Sequence, residues 1–535
     1  RLLMTDQCTR SKIPIKPVYT PDDTAGFNPE KQLGEPGSFP YTRGIRPAGF
    51  WTWIQRELSG EGDPKTSNEQ LKYLISQGQT GIDVIADAPS QALMDPDHPL
   101  AANAIGTQGV SLCCLQDFRD LWADLPLDAL TVSNSISAPF TAAALYLVAK
   151  DKGVPPEKLR GSVIQPPFFA EDCGYAVNLP VSLRLRLCCD SIEFCTRNMP
   201  KFHAFVEDTY FFSEAGLDVV EEMALGFIEI RHVIRELLHR GMDIDDFAPR
   251  IAILLNCGMD FFEEVAKIRA TRRLFSKMMK DEFGAKDPRS WAPVITCHTS
   301  GLSLTAQQPF NNIVRGAIQS LALVMAGVQA IEISAFDEAY RTPSPESHLV
   351  GLRTQQVIDL ETNVTKVVDP LGGSYYVESL TDETERRISE MIDEIESKGD
   401  AVTLSDKGWF KGFFDDVMAR YARQIQDGEL PKVGLNCHQI PEEEDTLLKD
   451  VAEKKIEPFW DRIDQIKAFK KQRDMARVTA TLLECRDTAA KRDESLMPPI
   501  IKAFEAGATM GEITGAMRMA YDCPYDPLGM EEPVI

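Results

Sequence analysis

Three features of the 535-residue sequence predict an α/β fold of the (β/α)8, or TIM-barrel, class. Eight short β-branched runs recur between about residues 81 and 334. Most are followed by a stretch with helical periodicity, and parallel strands need such crossovers. An open doubly wound sheet is the rival topology. No GxGxxG follows the first run and no GxxxxGK[ST] occurs, so that rival lacks its nucleotide-binding signatures.

The elements follow in order. Residues 1–44 form an N-terminal extended arm, rich in Pro and Gly, as in "KPVYTPDDTAGFNPEKQLGEPGSFPYTRG". Its scattered aromatics (Tyr19, Phe27, Phe39, Tyr41) favour a belt packed on something larger over a loose tail. Residues 45–365 form the barrel. Its expected strands are Gly81–Ala86, Val110–Cys114, Leu130–Ser135, Ser162–Gln165, His203–Asp208, Ile251–Leu255, Val294–Cys297 and Ala330–Ser334. Helical periodicity marks Phe140–Lys150, Leu217–Arg240, Asp260–Phe283, Phe310–Ala326 and Glu346–Leu360. Residues 366–535 form a helical C-terminal extension. It opens on "VVDPLGGSYYVESL", read as a turn and a short strand before a charged amphipathic helix. Helix is expected again over Lys411–Asp427, Asp445–Arg492 and the tail "ESLMPPIIKAFEAGATMGEITGAMRMAYD".

The formal charge of −24 disfavours nucleic acid and anionic membranes as partners, while a few arginines can still dominate a local pocket. The twelve cysteines include no CxxC pair and no zinc spacing, so reduced, buried thiols and no metal in this chain are expected. No signal-peptide pattern and no apolar run of membrane-spanning length is visible, which makes the cytoplasm the expected compartment.

One stretch concentrates the chemistry. Ala204–Gly216, "AFVEDTYFFSEAG", is a strand end that turns through acidic and aromatic residues into a long helix. In a (β/α)8 chain, such C-terminal strand ends build the site. Of seven histidines, only His298 lies at the C-terminal end of an expected strand, in "PVITCHTSGLSLTAQ". A structural role for it weighs about as much as a catalytic one. No Ser/His/Asp order, carboxylate pair or metal cluster stands out, so these residues give a barrel enzyme whose chemistry is unassigned.

Longer motifs go further. "FPYTRG" (39–44), "SNEQLKYLISQGQTGIDV" (67–84), "DFAPR" (246–250) and "MDFFEEVAKIRATRRLF" (259–275) resemble the large subunit of the adenosylcobalamin-dependent acyl-CoA mutases. "TSGLSLTAQ" (299–307), "DEAYRTP" (337–343), "VDPLGGSYYVE" (368–378) and "AGATMGEI" (506–513) continue the resemblance. It runs from about residue 37 to the end, with gaps near 47–53 and 166–182. The family includes methylmalonyl-CoA, isobutyryl-CoA and 2-hydroxyisobutyryl-CoA mutases. The resemblance implies a barrel with the CoA chain threaded along an axis of small and polar residues. It also implies a cobalamin domain over the C-terminal strand ends, and a radical 1,2-migration of the acyl thioester group. The DxHxxG motif of the family's cobalamin domain is absent from these residues. Adenosylcobalamin is therefore expected mainly on a separate small subunit, with a homodimer of large subunits inside a heterotetramer.

Residue by residue, the resemblance assigns Arg56, Gln165, Arg250, Thr296 and Gln329 to the acyl-CoA. It assigns Ala86, Gly301, Glu338 and Arg341 to the cobalamin side. Leu58 stands where methylmalonyl-CoA mutase has its substrate-stacking tyrosine, and Ile85 where the 2-hydroxyisobutyryl enzyme has the Asp that binds the hydroxyl. The segment 166–182, where the carboxylate-gripping arginine is expected, contains no Arg or Lys. With Phe168 and Phe169, these departures imply an apolar, non-carboxylated, branched acyl group. Tyr210 keeps the family's residue, but Phe211 occupies the position of its catalytic histidine. A phenyl ring cannot donate to a thioester carbonyl. His298, where the family has a glutamine, is the candidate to take over that contact. The alternative from another class is a catalytically silent CoA-binding or assembly subunit.

Overall fold

The computed structural model describes residues 7–47, 52–165, 167–169, 178–453 and 456–535. Nine strands occur among them: β1 (Ile54–Gln55), β2 (Leu58–Ser59), β3 (Ile82–Val84), β4 (Thr131–Asn134), β5 (Arg160–Ile164), β6 (Phe202–Asp208), β7 (Ile251–Cys257), β8 (Val294–Thr299) and β9 (Ala330–Glu332). β1 and β2 are two pieces of one extended segment interrupted at Arg56-Glu57, which leaves eight strand segments alternating with helices. The pairings are parallel. The architecture is thus the α/β, TIM-barrel-like one expected.

Three local expectations are corrected. Val110–Cys114 is not a strand: Val110 makes isolated bridges to Gly62 and Ala86, and the chain then turns. The Asp117 carboxylate takes the Cys113 and Cys114 N–H groups and starts the helix Leu115–Leu121. The missing strand is Ile54–Ser59, whose Gln, Arg and Glu hide its period in the sequence. The short strand after Gly373 is instead the first turn of helix Tyr375–Glu396, N-capped by Ser374. Asp445–Arg492 is three helices, Thr446–Ala452, Asp461–Gln472 and Met475–Ala490.

The chain forms two compact units, 1–57 with 207–453, and 58–206 with 454–535. In the first, the strands run β1-β9-β8-β7. Asn256, His298 and Glu332 stand in register across β7, β8 and β9, with Leu254, Thr296 and Ala330 two residues earlier. Alternation puts these on one face. The other face, Ile253, Leu255, Ile295, Cys297 and Ile331, is apolar and fully buried, the usual packing side of a parallel sheet. The arm lies along helices Phe261–Lys277 and Tyr375–Glu396: Ser11 N–H donates to Glu263, Arg272 donates to Thr42 O, and Ile13 packs on Ala266 and Leu380.

In the second unit the order is β2-β3-β4-β5-β6. Leu58, Asp83, Ser133, Ser162 and His203 share one registered row. Apart from Leu58 it is polar, and Ser133 Oγ meets Ser162 Oγ at 2.6 Å. Gly161 is required where β5 meets β4: its φ is +145°, and a Cβ would stand 1.8 Å from Val132 O. The late helices pack within this unit. Arg186 donates to the carbonyls of Thr488, Ala489, Lys491 and Glu494, and Phe504 meets Phe118 and Phe140 at 6.2 and 5.5 Å between ring centroids. Among the described residues, no helix is long and apolar enough to cross a membrane.

Candidate active site

The C-terminal strand ends of the first unit carry a polar cluster. β6 ends at Asp208, whose Oδ1 accepts from Phe211 N–H at 3.1 Å and starts the short helix Thr209–Glu214. That turn presents Tyr210. Its ring lies 4.6 Å from the His298 ring, tilted by 54°. Burial first, and then the Glu214 and Glu338 carboxyls, push the Tyr210 phenol well above its ordinary value, so it stays a hydroxyl donor. His298 is buried, with Nδ1 2.8 Å from Thr299 O and 3.2 Å from Ser334 Oγ. A carbonyl only accepts, so this network assigns the proton to Nδ1.

Glu214 closes the floor. It accepts from Asn256 Nδ2 (2.6 Å), Ser300 Oγ (2.8 Å) and Leu302 N–H (2.7 Å). Burial raises its pKa while these donors oppose the rise. Glu338 is likewise raised by burial and drawn down by His298. Gly301 sits among them: a Cβ there would lie 3.0 Å from Glu214 Oε2, 3.4 Å from Tyr210 Oη and 3.6 Å from Glu338 Oε1. Phe211, the next residue after Tyr210, is half-buried. Arg341 is half-buried in the loop after β9, its Nε donating to Thr342 O at 2.8 Å.

Other expected residues lie elsewhere on the strands. Arg56 continues β1 and donates through Nε to Glu332 at 2.5 Å, so a buried ion pair adjoins the Asn256–His298–Glu332 row. Thr296 shares the His298 face one step earlier, about 7 Å along β8. Gln329 precedes β9; its Oε1 accepts from Ile295 N–H at 3.0 Å. It lines a pocket with Arg43, Arg46 and Gly327. Arg250 precedes β7 and is half-buried. Gln329 and Arg250 therefore mark the N-terminal strand ends, and the Tyr210–His298 cluster marks the C-terminal ones.

In the second unit, Gln165 follows β5 and is tied to β6: its N–H donates to Val206 O at 3.1 Å and its amide to Ala204 O. Gln165 lines a pocket with Gln91, Ser135, Ser137 and Arg184. Leu58 and Ile85 are half-buried beside β3, Ala86 is buried, and Phe168 and Phe169 are fully buried. Of the segment 166–182, residue 166 and residues 170–177 lie outside the described residues.

Sequence reasoning missed Glu214, Asn256, Glu332, Ser334 and Arg184. Two of these carried a signal: Asn256 in "IAILLNC" and Glu332 in "AIEIS" are polar residues near the C-terminal ends of apolar strands. Arg184 lies two residues beyond the segment that was searched for a cation.

The family described as Methylmalonyl-CoA mutase matches residues 8–523. The 2-hydroxyisobutanoyl-CoA mutase large subunit of Aquincola tertiaricarbonis is 35% identical over 95% of this chain and 91% of its own length. Methylmalonyl-CoA mutase of Escherichia coli (strain K12) is 34% identical over 96% of this chain and 72% of its own, and the mitochondrial enzyme of Homo sapiens is 32% identical over 96% and 68%. From residue 8 to residue 523, this chain belongs to the methylmalonyl-CoA mutase family of cobalamin-dependent acyl-CoA mutases, which are isomerases.

Proposed function

We propose that the chain is the large, substrate-binding subunit of an acyl-CoA mutase that moves the thioester group of a branched, uncharged acyl-CoA to the adjacent carbon. The observation that carries this reading is the Tyr210–His298 pair, 4.6 Å apart at the strand ends, beside a phenylalanine at 211. The CoA phosphates would lie toward Arg43, Arg46 and Gln329, where guanidinium groups suit phosphate. The thioester would then reach the C-terminal ends. With Nδ1–H held by Thr299 O, His298 can donate to the thioester carbonyl only through Nε2, and only as an imidazolium. Glu338 interacts electrostatically with the His298 ring. Tyr210 supplies a second hydroxyl donor.

Adenosylcobalamin, when bound, supplies the radical that takes hydrogen from the acyl group. The residues present fit its nucleoside end: Gly301 leaves space that a Cβ would fill, faced by Glu214, Tyr210 and Glu338, which can bond sugar hydroxyls. Burial of the cluster keeps water and other hydrogen donors from a reactive intermediate. The "large subunit" relative, of which this chain covers 91%, supports a cobalamin carried mainly by a separate small chain. A second copy of this chain would complete the assembly.

Leu58, Ile85, Phe168 and Phe169 favour an apolar acyl group. One observation favours a second substrate reading: Arg184, 7% exposed, lines the cavity that holds Gln165 and could meet an acyl carboxylate. One experiment separates the readings. The chain is reconstituted with a DxHxxG small chain and adenosylcobalamin, and isobutyryl-, pivalyl-, 2-hydroxyisobutyryl- and methylmalonyl-CoA are offered. Turnover of an uncharged branched substrate is expected. His298→Ala should lower kcat at least about 10²–10³-fold, the cost of one lost transition-state donor, while acyl-CoA binding holds within a few-fold. Turnover of methylmalonyl-CoA alone would favour the Arg184 reading. Acyl-CoA binding without any isomerisation would favour a silent subunit, and an unchanged His298→Ala rate would remove His298 from the mechanism.

A further inference from the structure

A buried ionic triad lies behind the site and touches no group assigned to substrate. Glu222, on the first turn of helix Val219–His239, is 1% exposed, and Lys267 on helix Phe261–Lys277 is fully buried. Lys267 Nζ lies 2.9 Å from Glu222 Oε2 and 2.6 Å from Glu264 Oε2. The other Glu222 oxygen accepts from Thr209 Oγ1 at 2.9 Å and from Asn256 N–H at 3.1 Å. Lys267 Nζ also donates to Asn256 O at 2.6 Å. Both backbone polar groups of Asn256 are therefore held by side chains of the triad. Asn256 in turn donates to Glu214, and Thr209 precedes Tyr210.

A buried ion pair is weak evidence for stability, because desolvation offsets its attraction and apolar replacements are often neutral. This one is placed where it orients rather than packs. Burial pulls the Lys267 ammonium down, yet the Glu222 and Glu264 carboxylates outweigh it, so lysine stays charged and both carboxylates have a fixed counter-ion. Glu222 reaches two strand ends with one oxygen, the end of β6 through Thr209 and the end of β7 through Asn256. We propose that Glu222, locked by Lys267, is a positioning residue for the mutase reaction: it sets the spacing of Tyr210 and Glu214 at the reacting end of the barrel strands. The inference rests on the Tyr210–His298 reading of the active site.

The test uses the reconstituted holoenzyme with isobutyryl-CoA, or with whichever branched acyl-CoA of the panel turns over fastest. Glu222→Gln keeps the shape and an acceptor oxygen but removes the charge that Lys267 holds. Thr209→Val removes only the hydroxyl and keeps the triad, so it decides the matter if Glu222→Gln does not fold. Each should lower kcat at least tenfold with KM for acyl-CoA within twofold. A merely structural role would lower the amount of folded protein, not divide kcat from KM. Combined with Tyr210→Phe, each should cost less than the product of the single effects, because residues acting as one unit are non-additive. A slow Tyr210→Phe beside full-rate Glu222→Gln and Thr209→Val would overturn the inference and leave the site reading standing. Strictly multiplicative losses would also overturn it. A Tyr210→Phe enzyme at full rate would remove both.

Discussion

Two neighbouring carboxyl groups at the end of β6 stand on opposite faces of the strand. Asp208 faces the helix it starts and accepts from Phe211 N–H. Glu207 points to the other side of the strand and is fully buried. Burial, and then the Glu229 carboxyl, push its pKa well above the ordinary value. The folded chain therefore keeps a proton that the unfolded chain releases above about pH 4.3. By linkage, the contribution of Glu207 is fully present below that pH and is lost as pH rises toward the folded-state value. Glu207→Gln holds the neutral form permanently. Thermal unfolding midpoints should be close for wild type and variant near pH 5, with the variant pulling ahead by pH 8. A difference that stays constant between those pH values would show that Glu207 is ionised in the fold.

At the scale of elements, helix Val219–His239 ties the active-site turn to the barrel wall. Asp218 and Glu221 form a capping box at its start, a pattern visible in "LDVVEE". Gly226 lies where the helix presses on the end of β6: a Cβ there would stand 2.5 Å from Thr209 Cγ2. Alanine normally gains up to about 1 kcal/mol over glycine inside a helix. Here overpacking, typically about 1–3 kcal/mol, should outweigh that gain. Gly226→Ala is expected to lower the unfolding midpoint and to lower kcat through Thr209 and Tyr210. A rise in the midpoint would show that Thr209 yields freely.

The same scale explains what the sequence disclosed. Long elements with one period and clear caps, such as this helix and the strands around residues 251–257 and 294–299, were legible because burial repeats along them. β1 and β2 were not, because Gln55, Arg56 and Glu57 bond to neighbours in the folded state and break the apolar alternation. Val110–Cys114 looked like a strand, but beyond the two isolated bridges of Val110 its Cys113 and Cys114 N–H groups go to Asp117. At the site, Tyr210, Phe211 and His298 were legible one by one. The 4.6 Å contact between residues 88 positions apart was not, since it depends on which strand ends adjoin.

For the whole molecule, the formal charge of −24 opposes association of like chains unless they meet through a neutral face. Helix Asn311–Ala326 provides one. It is about 24 Å long at 1.5 Å per residue, and Arg315 is its only charged residue. Arg315 is buried and donates to Thr305, Asn312 and Val433 O, so the outer face bears no charge. That face exposes Phe310 at 52%, Val314 at 59% and Ile318 at 38%, one helical turn apart. A strongly charged partner would find no counter-charge here and would bury its own ions at a cost. A second copy of the same face brings none, and a twofold contact requires only self-complementarity. The wild-type large chain is therefore expected to sediment as a dimer, and Ile318→Glu as a monomer with unchanged circular dichroism. Because the face is apolar, raising salt should not dissociate the wild type. A wild-type monomer, or a variant that remains dimeric, would assign this face to a different partner.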